Sequence, residues 1–133
     1  MSNIEYRQNF PLNALDILRL FESSGIRRPT DDVHRIERMF ANSNLIISAW
    51  HEDHLIGVCR ALTDLNYCCY LSDIAVDRNF QNHGIGSELI ARIKAFIGNE
   101  VSLILISAPG AQEFYERIGF ERSQYCFTAK RSK

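Results

Sequence analysis

The sequence contains no long apolar run, and nothing in it approaches the roughly 18 consecutive apolar residues that a membrane-spanning helix requires. Its formal net charge is −1, which is not the basic balance that favours binding to nucleic acid or anionic membranes. The polar residues 1–8 lack the apolar segment of a secretory signal. These absences predict a cytoplasmic protein with neither a nucleic-acid nor a membrane partner.

The cysteines of the sequence are not spaced as a set of metal ligands. The four cysteines are Cys59, Cys68, Cys69 and Cys126, and no two of them form a C-x-x-C pair. This arrangement favours reduced, buried thiols over a disulfide framework or a zinc site, so we expect no metal. The length of 133 residues and the hydrophobic content of 46 % predict one domain over residues 1–133.

Apolar periodicity, interrupted by glycine, proline and asparagine, predicts the element order β-αα-βββ-α-β-α-ββ. Pro11 opens the first helix, which ends before Gly25, and Thr30 or Asp31 caps the second. The predicted strands are 4–8, 45–50, 55–61 (in a hairpin with the preceding strand), 67–76, 101–106, 120–123 and 125–129, and the later helices are 84–97 and 111–118. This order predicts an α+β fold with a mixed, mostly antiparallel central sheet of about six or seven strands and about four flanking helices.

The most informative segment is a polar loop that follows the strand 67–76 and leads into a helix. Gly84 and Gly86 lie at the first turn of that helix. A helix N-terminus exposes unpaired N–H groups, and glycine lets them approach an anion closely, so a phosphate or pyrophosphate site is favoured. The position three residues beyond Gly86 is Leu89, so the dinucleotide fingerprint is incomplete. On the glycines alone, a helix with a glycine-rich start and no ligand is an equal alternative.

A wider pattern favours the ligand-binding alternative. Ile74-Ala-Val-Asp77 followed by Gln81-Asn-His-Gly-Ile-Gly86 resembles motif A of the GNAT superfamily of N-acetyltransferases. Phe114-Tyr-Glu-Arg-Ile-Gly-Phe120 resembles the second hallmark of that family, a tyrosine on a short helix before Gly-Phe. The resemblance implies a single GNAT-like domain that uses acetyl-coenzyme A as acyl donor. The Leu20–Gly25 and Ser48–Trp50 segments look like a small bacterial subgroup related to arylalkylamine acetylators, which implies a small-molecule primary amine as acceptor.

The resemblance also implies roles for individual residues. The strand 67–76 would splay from the strand 101–106, and main-chain groups at Ile74, Ala75 and Val76 would bind the pantetheine arm in the gap. The N–H of Val76 would hold the developing oxyanion. Tyr115 matches the general acid that protonates the departing thiolate. The pyrophosphate would be bound by N–H groups of Asn82, His83, Gly84, Ile85, Gly86 and Ser87, with Gln81 beside them.

Several assignments keep alternatives. Asp73 is the candidate general base, because an acid within an apolar strand usually has a partner or a purpose. A capped loop and a structural hydrogen bond are the other interpretations, and together they are favoured over catalysis. Arg78 could add charge near the nucleotide or be solvated. Several relatives carry Asn or Asp seven residues before the tyrosine, whereas this sequence has Ala108. The contact would come from the backbone or from Ser107, or be absent.

Other functions remain open at the level of sequence. The resemblance permits a homodimer, which is common in such folds. A protein N-terminus or a lysine could replace the small amine. A cysteine nucleophile at Cys68 or Cys69 lacks a well-placed histidine. A catalytically silent acyl-CoA sensor or protein-interaction domain is the alternative from a different class.

Overall fold

Five strands form one sheet in which the spatial order of the strands equals their order in the chain. The computed structural model describes residues 3–133. Four helices and a short 3₁₀ turn at Arg78–Phe80 accompany the sheet. The elements are β1 (Ile4–Gln8), α1 (Ala14–Ser24), α2 (Val33–Ala41), β2 (Leu45–His51), β3 (His54–Thr63), β4 (Cys68–Val76), α3 (Ile85–Ile97), β5 (Ser102–Leu105) and α4 (Gln112–Arg117).

Strands β1 to β4 are antiparallel neighbours, whereas β5 runs parallel to β4. Glu52 and Asp53 both have positive φ, 50° and 68°, which suits the two-residue turn of a tight hairpin. The predicted hairpin between β2 and β3 is therefore confirmed. The parallel pair β4–β5 requires a crossover, and α3 supplies it.

The helices cover both faces of the sheet. On one face the buried side chains of α3 pack with β2, β3 and β4 to form the larger apolar core. On the other face α1 and α2 enclose a smaller core around Phe21 and Ile36, which meets the sheet at Val58 and Ala75. Two apolar layers around one sheet explain why the continuous apolar strands are stable.

The helix boundaries differ slightly from the sequence expectations. Helix α1 begins at Ala14 and not at Pro11, because Asn13 acts as N-cap and accepts from Leu15 N–H at 2.8 Å. Helix α2 is capped by Asp32 and not by Thr30 or Asp31; its carboxylate accepts from Arg35 N–H at 3.1 Å. In both cases several polar residues compete for the cap, and sequence does not rank them.

The expectation of six or seven strands is wrong, since the described residues 3–133 contain five. The predicted closing strands 120–123 and 125–129 do not form: residues 121–133 are exposed and irregular, with a turn at Gln124 and Tyr125, and none of them joins the sheet. The cysteine expectation is also only half right: all four thiols are free, but Cys68 and Cys126 are exposed while Cys59 and Cys69 are buried. Across residues 3–133 no helix combines the length and apolarity needed to cross a membrane.

Candidate active site

Strands β4 and β5 separate near the middle of β4. Their pairing runs from Cys68 opposite Ser102 to Leu71 opposite Leu105, where β5 ends. Strand β4 continues to Val76 with β3 alone as its neighbour. One edge of residues 72–76 therefore carries backbone groups with no strand partner. Such an edge can bind an extended ligand by strand addition. The predicted arm-binding residues lie on this stretch.

A β-bulge at Ser72 sets which side chains line the gap. The register of β4 against β3 shifts by one residue there. Because side chains alternate along a strand, the extra residue moves Ala75 to the α1/α2 face and brings Ile74 to the α3 face, the face of Leu71. The bulge coincides with the point where β5 leaves β4.

The N-terminus of α3 is open. Gly84 is the N-cap with φ 80°, and no side chain caps the helix. Glu88 N–H is the first to bond within the helix, to the carbonyl of Gly84 at 3.0 Å. Within the described chain, the N–H groups of Ile85, Gly86 and Ser87 have no protein partner. Three free donors and the positive end of the helix dipole form a site for an anion.

The conformation of the preceding loop depends on two left-handed residues. Asn82 has φ 67° and Gly84 has φ 80°. A Cβ placed on Gly84 would meet no atom within 4 Å, so the space in front of the helix is free for a ligand. Gln81 fastens the loop to the sheet, since its Nε2 donates to the carbonyl of Val76 at 3.0 Å. The loop and the free edge of β4 therefore adjoin.

Gly86 joins three elements of the site. A Cβ on Gly86 would lie 3.5 Å from Phe114 Cζ and 3.9 Å from Ile74 Cδ1. These are ordinary van der Waals distances, so α3 packs against both β4 and α4 at this position. This contact brings together the two sequence hallmarks, which are far apart in the chain.

Tyr115 follows Phe114 on α4 and is half-buried. Its ring makes edge contacts with Phe114, at a centroid distance of 5.1 Å, and with Phe120 at 5.7 Å. Burial raises the pKa of Tyr115 above its ordinary value of 10, because desolvation disfavours the phenolate. The phenol is therefore neutral, and able to donate a proton, throughout the physiological range.

Asp73 is fully buried and has strong partners. Arg28 Nε donates to its Oδ1 at 2.6 Å, and Arg60 Nε donates to its Oδ2 at 2.5 Å. Arg28 also donates to the carbonyl of Ser72 at 2.7 Å, which ties the loop after α1 to β4 at the bulge. A carboxylate held at both oxygens fits the structural interpretation of Asp73 better than the role of a free base. That catalytic role stays a prediction.

Sequence reasoning missed both arginines. Arg60 lies in an apolar strand directly opposite Asp73, so a buried pair could have been inferred by reading the two strands together. Arg28 comes from the α1–α2 loop, and no local pattern indicates its long-range contact. Two guanidinium groups beside one carboxylate leave a net positive charge under β4.

The other candidate residues make few contacts with the free edge of β4 or with the start of α3. Arg78 is bound through its backbone N–H to Ser23 Oγ at 3.1 Å, which anchors the loop to α1. His83 is exposed. Ser107 Oγ donates to the carbonyl of Ala108 at 2.8 Å. Burial raises the pKa of Cys69, one of the two candidate nucleophiles, above its ordinary value, and that thiol is therefore a poor nucleophile. Residues 3–133 hold no cluster of three metal-ligating side chains.

The comparisons with known proteins agree with this geometry. The family model described as acetyltransferase (GNAT) domain matches residues 19–130. An uncharacterized N-acetyltransferase, ycf52, from Gracilaria tenuistipitata is 30 % identical over 122 residues, which are 89 % of this chain and 67 % of that protein. A ycf52-like protein from Prochlorococcus marinus is 27 % identical over 82 % of this chain and 63 % of its own length. The chain thus spans about two-thirds of these relatives.

Other matches are shorter or structural. A histone acetyltransferase, TAP1, from Glycine max is 32 % identical over 53 % of this chain and 31 % of its own. A probable acetyltransferase from Staphylococcus aureus has a TM-score of 0.82 at 22 % identity, covering 98 % of both chains. The aminoglycoside N-acetyltransferase AAC(6')-Iy, solved with CoA, has a TM-score of 0.71 at 19 % identity, over 100 % of this chain and 97 % of its own. At these identities the structures show a shared fold.

The chain therefore belongs to the GNAT family of acetyltransferases, and the prediction of an N-acetyltransferase is confirmed. The finer assignment to an arylalkylamine-like subgroup stays a prediction.

Proposed function

We propose that the chain transfers the acetyl group of acetyl-coenzyme A directly to a primary amine of a small molecule. The observation that carries this proposal is the free edge of residues 72–76, which leads to the open N-terminus of α3. Gln81, which lies just before the start of α3, links the two features, because its side chain donates a hydrogen bond to the carbonyl of Val76 at the end of β4. The unpaired strand edge suits an extended chain such as pantetheine, and the helix N-terminus suits a pyrophosphate at the end of that chain.

The donors of the α3 N-terminus would bind the pyrophosphate. Backbone N–H groups at residues 82–87 approach an anion without side chains in the way, because Gly84 and Gly86 carry none. Main-chain groups of Ile74, Ala75 and Val76 would hold the pantetheine arm. The N–H of Val76 would then donate to the thioester oxygen as negative charge develops on it.

Tyr115 would donate its proton to the sulfur of the leaving thiolate. Its raised pKa keeps the phenol protonated, and its packing against Phe114 positions the ring beside the residue that contacts Gly86. The acceptor must enter as a neutral amine. Removing a proton from an alkylammonium of pKa 10.4 costs about 4–5 kcal/mol at pH 7, so the amine would bind in its neutral form. The proton that its nitrogen loses on acylation would pass through water and restore the proton that Tyr115 gives to the thiolate.

A second acceptor class has a specific observation in its favour. The partial match to a histone acetyltransferase covers 53 % of this chain, so a lysine side chain is the alternative substrate. A panel of small amines and a lysine-rich peptide, assayed by thiol release from acetyl-coenzyme A, separates the two. Turnover with neither class, together with tight acyl-CoA binding, would instead favour the sensor.

The Gly84→Glu variant tests the pyrophosphate site. We expect it to weaken acetyl-coenzyme A binding by at least about tenfold, or about 1.4 kcal/mol, because the new carboxylate occupies the space in front of the helix and repels the phosphates. Isothermal titration calorimetry measures the effect.

Gly25→Glu is the matched control. Gly25 has φ 83° and ψ 5°, nearly the same backbone conformation as Gly84 at φ 80° and ψ 7°, and equally open space. Both variants therefore carry a similar conformational cost. Equal affinity in Gly84→Glu and Gly25→Glu would contradict the proposed site.

A further inference from the structure

The chain that follows α1 is bound to the sheet at two points, one near each end of the free edge of β4. At one end, Ser23 Oγ accepts from the backbone N–H of Arg78 at 3.1 Å. At the other end, Arg28 Nη2 donates to the carbonyl of Ser72 at 2.7 Å. The segment 23–28 therefore runs along the free edge of β4, on the sheet face that α1 and α2 cover.

One side chain holds the loop between α1 and α2 on the sheet. Within the described chain, Arg28 is the only residue of the loop 25–32 that makes hydrogen bonds to a strand. The other hydrogen bonds of the loop are local, such as the one from Thr30 N–H to the carbonyl of Arg28. Ile26 adds an apolar contact with the smaller core. The position of the loop over β4 thus depends mainly on Arg28.

The buried carboxylate of Asp73 does not need Arg28 for its charge to be balanced. Arg60 lies opposite Asp73 on β3, is 8 % exposed, and donates to the carboxylate at 2.5 Å. Arg28 is a second cation, which comes from a loop and has a side chain 27 % exposed. Its planar fork reaches two acceptors at once, the carboxylate and the carbonyl of Ser72, and an ammonium group does not reproduce that geometry. A positioning role explains this arrangement better than charge balance does.

Ser72 is the point at which the contact bears on the candidate active site. It is the bulged residue of β4, and the pairing with β5 ends at Leu71, immediately before it. Arg28 binds the carbonyl of Ser72, and Arg60 Nη2 donates to its hydroxyl at 2.9 Å. Fixing the peptide unit at the bulge also fixes the direction of residues 73–76, which form the rest of the free edge.

We propose that Arg28 is a positioning residue for acetyl transfer, which fixes the segment 23–28 against the free edge of β4 and so sets where the acceptor amine meets the thioester. This inference rests on the proposed function. In the described chain, the side-chain hydrogen bonds of Arg28 go to Arg27, Ser72 and Asp73, and none goes to the start of α3. The affinity for acetyl-coenzyme A should therefore not depend on Arg28.

Kinetics of Arg28→Met and Arg28→Lys test this role. We expect Arg28→Met to lower kcat by about 10–10²-fold with an unchanged Kd for acetyl-coenzyme A, because small misplacements of bound reactants cost that much. Arg28→Lys keeps a cation beside Asp73 but loses the fork, so it should keep the stability of the unmodified chain and still have a lowered kcat. Rates are divided by the folded fraction, which urea unfolding measures. Arg38→Met, at an exposed arginine on α2, is the matched control and should keep full activity.

Amide chemical shifts of the free ¹⁵N-labelled chain give a second readout that needs no turnover. Arg28→Lys should shift the amides of the segment 23–28 and of residues 73–76, and it should leave residues 84–87 unchanged. An unmodified chain that acetylates no amine would refute the proposed function, and the shifts would still show whether Arg28 positions the segment. A normal kcat per folded molecule in Arg28→Met, or shifts in Arg28→Lys no larger than those in Arg38→Met, would overturn the positioning role.

Discussion

Replacing Tyr115 by Phe is expected to lower kcat by about 10²–10⁴-fold and to leave the affinity for acetyl-coenzyme A unchanged. The variant keeps the ring, and therefore the edge contacts with Phe114 and Phe120; it removes only the proton donor. The rate is measured by thiol release with the best acceptor from the amine panel, and the affinity by calorimetry.

The pH profile adds an independent readout. Because burial raises the pKa of Tyr115 above 10, ionisation of this phenol cannot lower the rate in the neutral range. Any change in the rate with pH below about pH 10 must come from ionisation of the acceptor amine or of another group. Tyr125→Phe, at an exposed tyrosine on the C-terminal segment, is the matched control and should keep full activity. A Tyr115→Phe enzyme with normal kcat would exclude the phenol as general acid.

Replacing Asp73 by Ala is expected to destabilise the fold by about 3–5 kcal/mol. The carboxylate is the partner of both Arg28 and Arg60, and Arg60 is itself only 8 % exposed. Removing the acid leaves two cations close together, one of them buried without compensation. Urea unfolding followed by circular dichroism measures the loss.

Asp16→Ala provides the contrast. Its carboxylate is 40 % exposed and pairs only with Arg19, three residues along the surface of α1, so its removal should cost at most about 1 kcal/mol. The Asp73→Asn variant, assayed under conditions in which it remains folded, distinguishes the structural role of Asp73 from a catalytic one. A loss of kcat beyond the unfolded fraction would favour the general-base role, whereas normal turnover in the folded fraction would support the ion-pair role. Similar stabilities for Asp73→Ala and Asp16→Ala would contradict the buried network.

Much of the fold could be predicted because local signals agree with it. The apolar periodicity of α3, the polar turn at Glu52 and Asp53, and the glycines at the start of α3 each specify their own conformation. The two sequence hallmarks also lie together in space, as Gly86 and Phe114 show. These features depend on residues that are neighbours in the chain or on a pattern of known spacing.

The features that sequence missed depend on contacts between distant residues. The bulge at Ser72 has no local signature, since it arises from the register of β4 against β3. Arg28 reaches Asp73 across 45 positions of the chain. The segment 120–129 has the composition of strands, yet β propensity expresses fit to a neighbouring strand, and no strand of the described chain pairs with this segment.

Acetyl-coenzyme A should bind to the open N-terminus of α3 and the free edge of β4 together. Titration of the ¹⁵N-labelled chain with acetyl-coenzyme A, followed by backbone amide chemical shifts, measures where it binds. We expect the largest shifts at Val76 and at residues 82–87. S-acetylpantetheine, which lacks the pyrophosphate, should shift Val76 but not Gly86. Shifts confined to another surface, or none at all, would contradict this prediction.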